Sequence, residues 1–175
     1  MSVLARAGLL GCAVSLAAVA GTSAATAAPA SCKTSHLVVW LNTQGDATAG
    51  STFFALEFTN LSSRTCTLRG YPGVSAVDLQ GRMLGSAGSR LPAAVRTVTL
   101  ASGATASAVL RIVEADNFPP SACGRVEAAG VRVFPPNQTV AKIVPFPFRA
   151  CSRSGPVILE VKAVASAEPP RRASR

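Results

Sequence analysis

The sequence is poor in the residue types that most enzymes use for catalysis. It has one histidine, one tryptophan and 8 acidic residues among 175, and only 14% of its residues are charged. A single histidine excludes a site built from several histidines and leaves one imidazole for nucleophilic catalysis. Beyond the amino-terminal segment, no run approaches the roughly 20 apolar residues that a membrane span needs. The sequence therefore predicts neither a multi-span membrane protein nor a histidine-based metalloenzyme.

The first 30 residues have the pattern of a secretory signal. Arg6 precedes an apolar run over residues 7–20, and small residues follow as far as Ala30. A basic start, an apolar stretch and a small-residue cleavage site are typical of exported proteins. We expect cleavage after Ala30 and an extracellular protein, either secreted or associated with the cell wall. Lipidation at Cys12 is not expected, because the apolar run continues past it.

Cysteine is sparse, and four cysteines remain after removal of the signal: Cys32, Cys66, Cys123 and Cys151. An even number of cysteines in an exported chain predicts disulfides. Four cysteines allow three pairings, and their spacing alone does not choose among them. Zinc is a poor alternative because no C-x-x-C or H-x-x-H spacing occurs. We expect two disulfides, and no metal ion or other cofactor.

Short alternating segments separated by turns run through most of the chain. Residues 51–59 and 105–113 alternate so that each would place one apolar face on a core. The predicted strands are 36–42, 51–59, 74–79, 82–84, 95–100, 105–113, 125–134, 139–144 and 156–164. This pattern predicts an all-β fold, an antiparallel immunoglobulin-like β-sandwich of about eight or nine strands within residues 31–164. Residues 165–175 are polar and basic, and we expect a disordered tail there.

One stretch of the sequence resembles a known family. Residues 58–74 read FTNLSSRTCTLRGYPGV, which is similar to the C-T-L-x-G-Y-P signature of exported actinobacterial proteins grouped as domain of unknown function 4232. The resemblance extends, less specifically, from Cys32 to about Val164. It implies an exported sandwich with sequential disulfides, Cys32 with Cys66 and Cys123 with Cys151, and it implies no activity. The signature residues are Asn60, Cys66, Leu68, Gly70, Tyr71 and Pro72.

The signature also has a purely structural explanation. Asn60 can bond to nearby backbone in a turn, and Pro72-Gly73 suits the centre of a type II turn. The Tyr71 hydroxyl can anchor a corner of a sandwich. We favour this scaffold role for the signature over a ligand site.

The remaining polar residues offer little for catalysis. His36 opens an apolar segment close to Cys32, which favours a strand-edge position over a catalytic one. The carboxylates that a hydrolase could use are Asp46, Glu57 and Asp78, and they are far apart in the sequence. We predict a non-enzymatic, secreted or cell-envelope binding module. The alternatives are an extracellular hydrolase that uses those carboxylates and a structural subunit of the envelope.

A recurring Phe-Pro pattern is a candidate interaction surface. Its members are Phe118, Phe134 and Phe146. Proline fixes φ and removes a donor, so these segments should be rigid loops or strand edges that block unwanted pairing. If the three rings are exposed together, they form a surface for a cell-wall polymer or another exported protein.

Positive charge is the other feature that bears on function. The net charge is +9, which favours attraction to polyanions. The arginines are scattered along the chain, about one per strand or loop, and aromatics do not alternate with them. We therefore expect attraction to polyanions that salt abolishes, with no specific binding of nucleic acid.

Overall fold

The computed structural model describes residues 28–167. Nearly all of the predicted signal, with Cys12, and residues 168–175 of the predicted tail lie outside the described residues. Within residues 28–167 the fold is all-β, and the longest helix, α1 (Pro120–Cys123), is a single turn. The strands are β1 (Leu37–Thr48), β2 (Ser51–Asn60), β3 (Cys66–Arg69), β4 (Gly73–Val77), β5 (Met83–Leu84), β6 (Ser89–Arg90), β7 (Thr97–Leu100), β8 (Thr105–Val113), β9 (Arg125–Phe134), β10 (Lys142–Cys151), β11 (Leu159–Val161) and β12 (Ala165–Ser166).

These strands form two main sheets and a small third one. The first sheet has the order β1-β2-β8-β11-β6, with β12 also paired to β8. The second has the order β10-β9-β4-β5, and β3 pairs with β7. Every strand pair is antiparallel except β6 with β11. The predicted all-β class with antiparallel sheets is confirmed, and the two main sheets enclose the core of a β-sandwich.

The predicted alternation in β2 and β8 supplies one side of that core. Leu56 and Phe58 of β2 and Leu110 of β8 are fully buried. Val131 and Val133 of β9 meet them from the second sheet within the same hydrophobic cluster. Burying a side chain of this size contributes about 1.5–3 kcal/mol, so aliphatic residues can supply most of the core with few aromatics.

The structure departs from the sequence prediction in its strand boundaries. Residues 28–167 contain twelve strands instead of eight or nine, because β3, β6 and β12 lie outside the predicted strands and are too short to carry a periodic signal. The strand predicted over 139–144 instead begins at Lys142 and continues to Cys151. This strand contains Pro145 and Pro147 because β10 is an edge strand, and its register shifts between Pro145 and Phe148.

The carboxyl-terminal boundary is also later than predicted. Ala165 pairs with Ser107 and Ser166 with Ala106, so the ordered domain extends at least two residues past 164. The first residues of the predicted tail therefore belong to the sandwich.

Both disulfides pair sequentially, as the resemblance implies. Cys32 bonds to Cys66 and Cys123 to Cys151, across sequence separations of 34 and 28. The two bonds lie at opposite ends of the sandwich. We call the end with Cys32–Cys66 the signature end. The other, where β1 turns into β2, is the hairpin end.

Candidate functional site

The family signature forms one wall of a cleft at the signature end. This signature cleft has a volume of about 650 Å³. Its polar and aromatic lining consists of Arg69, Tyr71, Arg90, Phe134, Asn137 and Gln138. The cleft therefore joins two motifs that are distant in the sequence, the C-T-L-R-G-Y-P stretch and the turn that follows β9.

A tight backbone turn places the signature residues at the cleft. Gly70 has a φ of 107°, a conformation that L side chains rarely adopt. The Gly70 carbonyl accepts a hydrogen bond from the Val164 N–H at 2.9 Å, which ties the turn to the last strand region. From the opposite wall, Asn137 Nδ2 donates to the Arg69 carbonyl at 3.1 Å. Both walls are thus fixed to the end of β3.

Tyr71 links the signature to the segment of the cleft that contains Arg90. Its hydroxyl accepts a hydrogen bond from the Ala93 N–H at 3.1 Å and lies 3.3 Å from the Ala93 carbonyl, to which it donates. The Arg90 guanidinium lies 5.3 Å from the centre of the Tyr71 ring, in cation–π contact. The tyrosine therefore anchors a corner of the sandwich, as expected, and also orients an arginine of the cleft.

The cleft carries positive charge that no described carboxylate neutralises. Arg69 and Arg90 are both exposed, and neither makes an ion pair within the described part of the chain. No aspartate or glutamate of residues 28–167 lines the cleft. Because guanidinium groups bind carboxylates and phosphates through paired hydrogen bonds, the arrangement suits an anionic group.

The three phenylalanines of the Phe-Pro pattern do not form a shared surface. Phe134 lines the signature cleft, whereas Phe146 lies at the hairpin end in a cavity of about 250 Å³. There its ring is 5.0 Å from Phe54 and 6.2 Å from Phe148. Phe118 is half-buried against the core, and its carbonyl accepts a hydrogen bond from Arg125. Two of the three rings thus pack against the core.

The carboxylates considered for a hydrolase are separated in the fold. Asp46 lies at the bulge of β1, opposite Phe53. Asp78 follows β4 in the other sheet and pairs with Arg82 at 2.7 Å. Although desolvation acts in the opposite direction, hydrogen bonds from Arg82 and Gln80 keep the pKa of Asp78 below its ordinary value. The structure brings no two of the three predicted carboxylates together.

Glu57 lies on the face of β2 opposite to Leu56 and Phe58, but it is buried there. It lies between Trp40 and Ser107 in the first sheet, and the residue is 8% exposed. One of its oxygens, Oε2, is buried without a hydrogen-bond partner. Burial raises the pKa of the Glu57 carboxyl. A carboxyl with a raised pKa can donate a proton, but neither Asp46 nor Asp78 lies beside it.

His36 and the cysteines form no metal-binding cluster in the described range. His36 is exposed at the end of a 3₁₀ turn over Thr34–His36. Among residues 28–167, no group of three or more His, Cys, Asp or Glu side chains could hold a metal ion. Over the same residues, no helix has the length and apolar composition needed to cross a membrane.

Sequence reasoning missed the cationic part of the cleft. Arg69 lies within the signature, between Leu68 and Gly70. Its position in the sequence could therefore have pointed to the cleft. Arg90 and Asn137 lie in unrelated segments, and only the packing of β3, β6 and the 134–138 turn brings them together. No local pattern could have found them.

The fold and the cleft define a small, disulfide-bonded β-sandwich domain with a basic cleft at one end. A family model described as Domain of unknown function (DUF4232) matches residues 32–165, and the chain belongs to this family. The match covers the sandwich and the signature cleft. No curated protein and no solved structure matched the sequence.

Proposed function

We propose that this protein is an exported, non-enzymatic binding module that holds an anionic ligand in the signature cleft. The observation that carries the proposal is that Arg69 and Arg90 line a cleft built by the signature and form no ion pair with any residue of 28–167. Such a pair attracts anions, and the rigid walls keep it in place without a ligand. A cell-wall polymer or an acidic exported protein would present suitable groups.

Export is supported by the signal pattern of the first 30 residues and by the two disulfides, which are compatible with an oxidising compartment. Fractionation of the producing cells should find the protein in the medium or on the wall. Sequencing of the mature chain should start at Ser31. Recovery of the full-length chain in the cytoplasmic fraction would contradict this part of the proposal.

Binding can be tested by sedimentation with purified cell walls at physiological salt. The wild-type protein should sediment with the walls, and the Arg69→Gln/Arg90→Gln variant should remain in solution. Arg153→Gln/Lys162→Gln is the matched control, because it removes the same charge from positions outside the cleft. Equal loss of binding in both variants would show that net charge, not the cleft, is responsible.

The two alternative functions predict different observations. A hydrolase would turn over an ester, glycoside or peptide, and a change such as Glu57→Gln would abolish that activity. A structural envelope subunit would self-associate without a ligand, which light scattering of the exported form detects. We expect no turnover and a monodisperse protein.

A further inference from the structure

Two further cavities adjoin the signature cleft. The first, of about 700 Å³, shares Gln138 with the cleft and is lined by Lys33 and Lys142. The second, of about 530 Å³, shares Ser31 and Lys33 with the first and is lined by Arg64. Neighbouring cavities are therefore linked through shared lining residues. We call this row of three cavities at the signature end the basic groove.

The basic groove carries a row of cations without carboxylates. Its cationic side chains are Arg90, Arg69, Lys142, Lys33 and Arg64. Among residues 28–167, no aspartate or glutamate lines any of its three sections, and none of the five cations forms an ion pair. The expectation of scattered charge is therefore wrong for this end of the molecule, because the fold gathers cations that are distant in the sequence.

Ion pairing occurs elsewhere in the fold. At the hairpin end, Arg125 and Arg149 contact Asp116 at 2.9 and 3.6 Å, and Arg149 also contacts Glu127. In the first sheet, Arg111 contacts Glu160 at 2.8 Å. Carboxylates thus accompany the arginines at these positions. Arg96, Arg132, Arg153 and Lys162 also form no ion pair with another residue of 28–167, but none of them lines the basic groove.

We propose that the basic groove binds a linear acidic glycopolymer, a flexible polyol or sugar chain that repeats a phosphate or carboxylate group. This inference rests on the proposed function and specifies its ligand. Cations spread over three consecutive cavities match charges repeated along a chain, whereas a single small anion would contact only one section. Electrostatic contacts of this kind add up along a polymer.

The aromatic content of the groove favours a glycopolymer over a single-stranded nucleic acid. Binding of bare bases requires aromatic faces on which successive bases stack. Among the described residues, the groove has two large aromatic rings, Tyr71 and Phe134, both in its first section, and one imidazole, His36, in its third section. Arg90 already lies over the Tyr71 ring. Apart from His36, the other two sections offer charge and hydroxyl or amide groups, which suit a chain without bases.

The test is calorimetric titration of the exported protein, with its disulfides intact, in 0.15 M salt. The probes are poly(glycerol phosphate), polygalacturonate, glycerol phosphate and single-stranded DNA. Three double variants each remove two positive charges: Arg69→Gln/Arg90→Gln, Lys33→Gln/Lys142→Gln, and the control Arg153→Gln/Lys162→Gln. Thermal melting of each variant checks that it is folded.

We expect one or both acidic polymers to bind and the glycerol phosphate monomer to bind far more weakly. Each groove variant should weaken polymer binding by about tenfold or more, and the control by about twofold at most. Each groove variant should also lower the slope of log Kd against log salt by about 1.4, for two lost contacts. The tighter of the two polymers identifies whether phosphate or carboxylate is the preferred group.

Two results would overturn this inference and leave the proposed function intact: polymer binding that depends on Arg69 and Arg90 but not on Lys33 and Lys142, or a monomer that binds as tightly as the polymer. Tighter binding of single-stranded DNA with the same dependence would also overturn it. Equal effects of all three variants, or no binding to any probe or to cell walls, would remove the proposed function as well.

Discussion

At the scale of single residues, Asn60 and Glu57 are both buried polar side chains, but they differ in how fully they are hydrogen-bonded. Asn60 is fully buried and saturated: Nδ2 donates to the carbonyls of Arg64, Leu100 and Ala101, and Oδ1 accepts from the N–H and hydroxyl of Ser62. Glu57 is buried with one oxygen unpartnered. Since a buried polar group without a partner costs free energy, the first residue stabilises the fold and the second destabilises it.

Replacing Asn60 with aspartate should therefore be strongly destabilising, although the shape is retained. The carboxylate cannot donate to the Arg64, Leu100 and Ala101 carbonyls and would face them with a negative charge. We expect the free energy of unfolding to fall by about 3 kcal/mol or more at neutral pH. Part of the loss should be recovered in acid, where the protonated carboxyl at this position can donate one hydrogen bond. Urea unfolding at pH 7 and pH 4 measures both effects.

Asn42→Asp is the control for this change. Asn42 Oδ1 accepts a hydrogen bond from the Gln44 N–H at 3.1 Å, which a carboxylate can also do. An equal loss of stability in the two variants would contradict the role assigned to the Asn60 donors.

Replacing Glu57 with glutamine should stabilise the protein at neutral pH. Burial raises the pKa of Glu57, so its contribution is most favourable below the unfolded-state pKa and is lost as the pH rises through the folded-state value. The neutral amide removes that loss, and we expect a gain of about 1 kcal/mol at pH 7 that shrinks towards zero near pH 4. Thermal melts across this range test it, with the exposed Glu114→Gln as the control. A gain in stability that does not change with pH would show that ionisation of Glu57 is not its cause.

At the scale of elements, the sequence predicts the long alternating strands but not how the short strands pack. Apolar and polar residues alternate in β2 and β8, and successive side chains of a strand point to opposite faces, so the apolar set identifies the face that is buried in the core. The resemblance to the family likewise implies both disulfide pairings, which the cysteine spacing alone leaves open. Strand β10 could not be foreseen beyond residue 144, since its prolines are tolerated only because β10 forms an edge. The cleft could not be foreseen either, because it depends on where β3 and β6 end relative to the 134–138 turn.

The disulfide at the signature end has a second role besides stability. Cys32 bonds to Cys66, and the Cys32 N–H donates a hydrogen bond of 2.9 Å to the Thr67 carbonyl in β3. This pairing fixes the segment that carries Lys33. The bond between Cys123 and Cys151 closes a loop of similar length at the hairpin end.

Removing either disulfide should lower the free energy of unfolding by about 3 to 4 kcal/mol. Only the Cys32→Ala/Cys66→Ala variant should also weaken polymer binding, because only that bond positions Lys33. Guanidinium unfolding and calorimetric titration of both double variants provide the comparison. Binding that falls equally in the two variants would indicate that the bond at the signature end has no special part in the groove.

At the scale of the whole molecule, charge is distributed unevenly. Five cations without ion pairs among residues 28–167 line the basic groove, while Glu114, Asp116 and Glu127 lie at the hairpin end with Arg125 and Arg149. Like charges held together oppose folding, and dissolved salt screens them. The groove is therefore expected to reduce stability in dilute buffer.

Salt should accordingly raise the melting temperature of the wild-type protein, with most of the increase below physiological ionic strength. The Arg69→Gln/Arg90→Gln variant should melt higher in dilute buffer and respond less to salt, because part of the repulsion is gone. Calorimetric melts in sodium chloride and in an equal concentration of a neutral osmolyte separate screening from general solute effects. An identical salt response in variant and wild type would show that the groove cations do not repel one another appreciably.

From the same uneven distribution, we expect residues 28–167 to carry an electric dipole that runs from the hairpin end towards the signature end. Near a negatively charged wall, such a body experiences a torque as well as an attraction, and it turns until its positive end leads. The protein would then arrive with the open groove already facing the polymer layer. Its opposite end, with the phenylalanine-lined cavity and the paired carboxylates, would point outward into the medium.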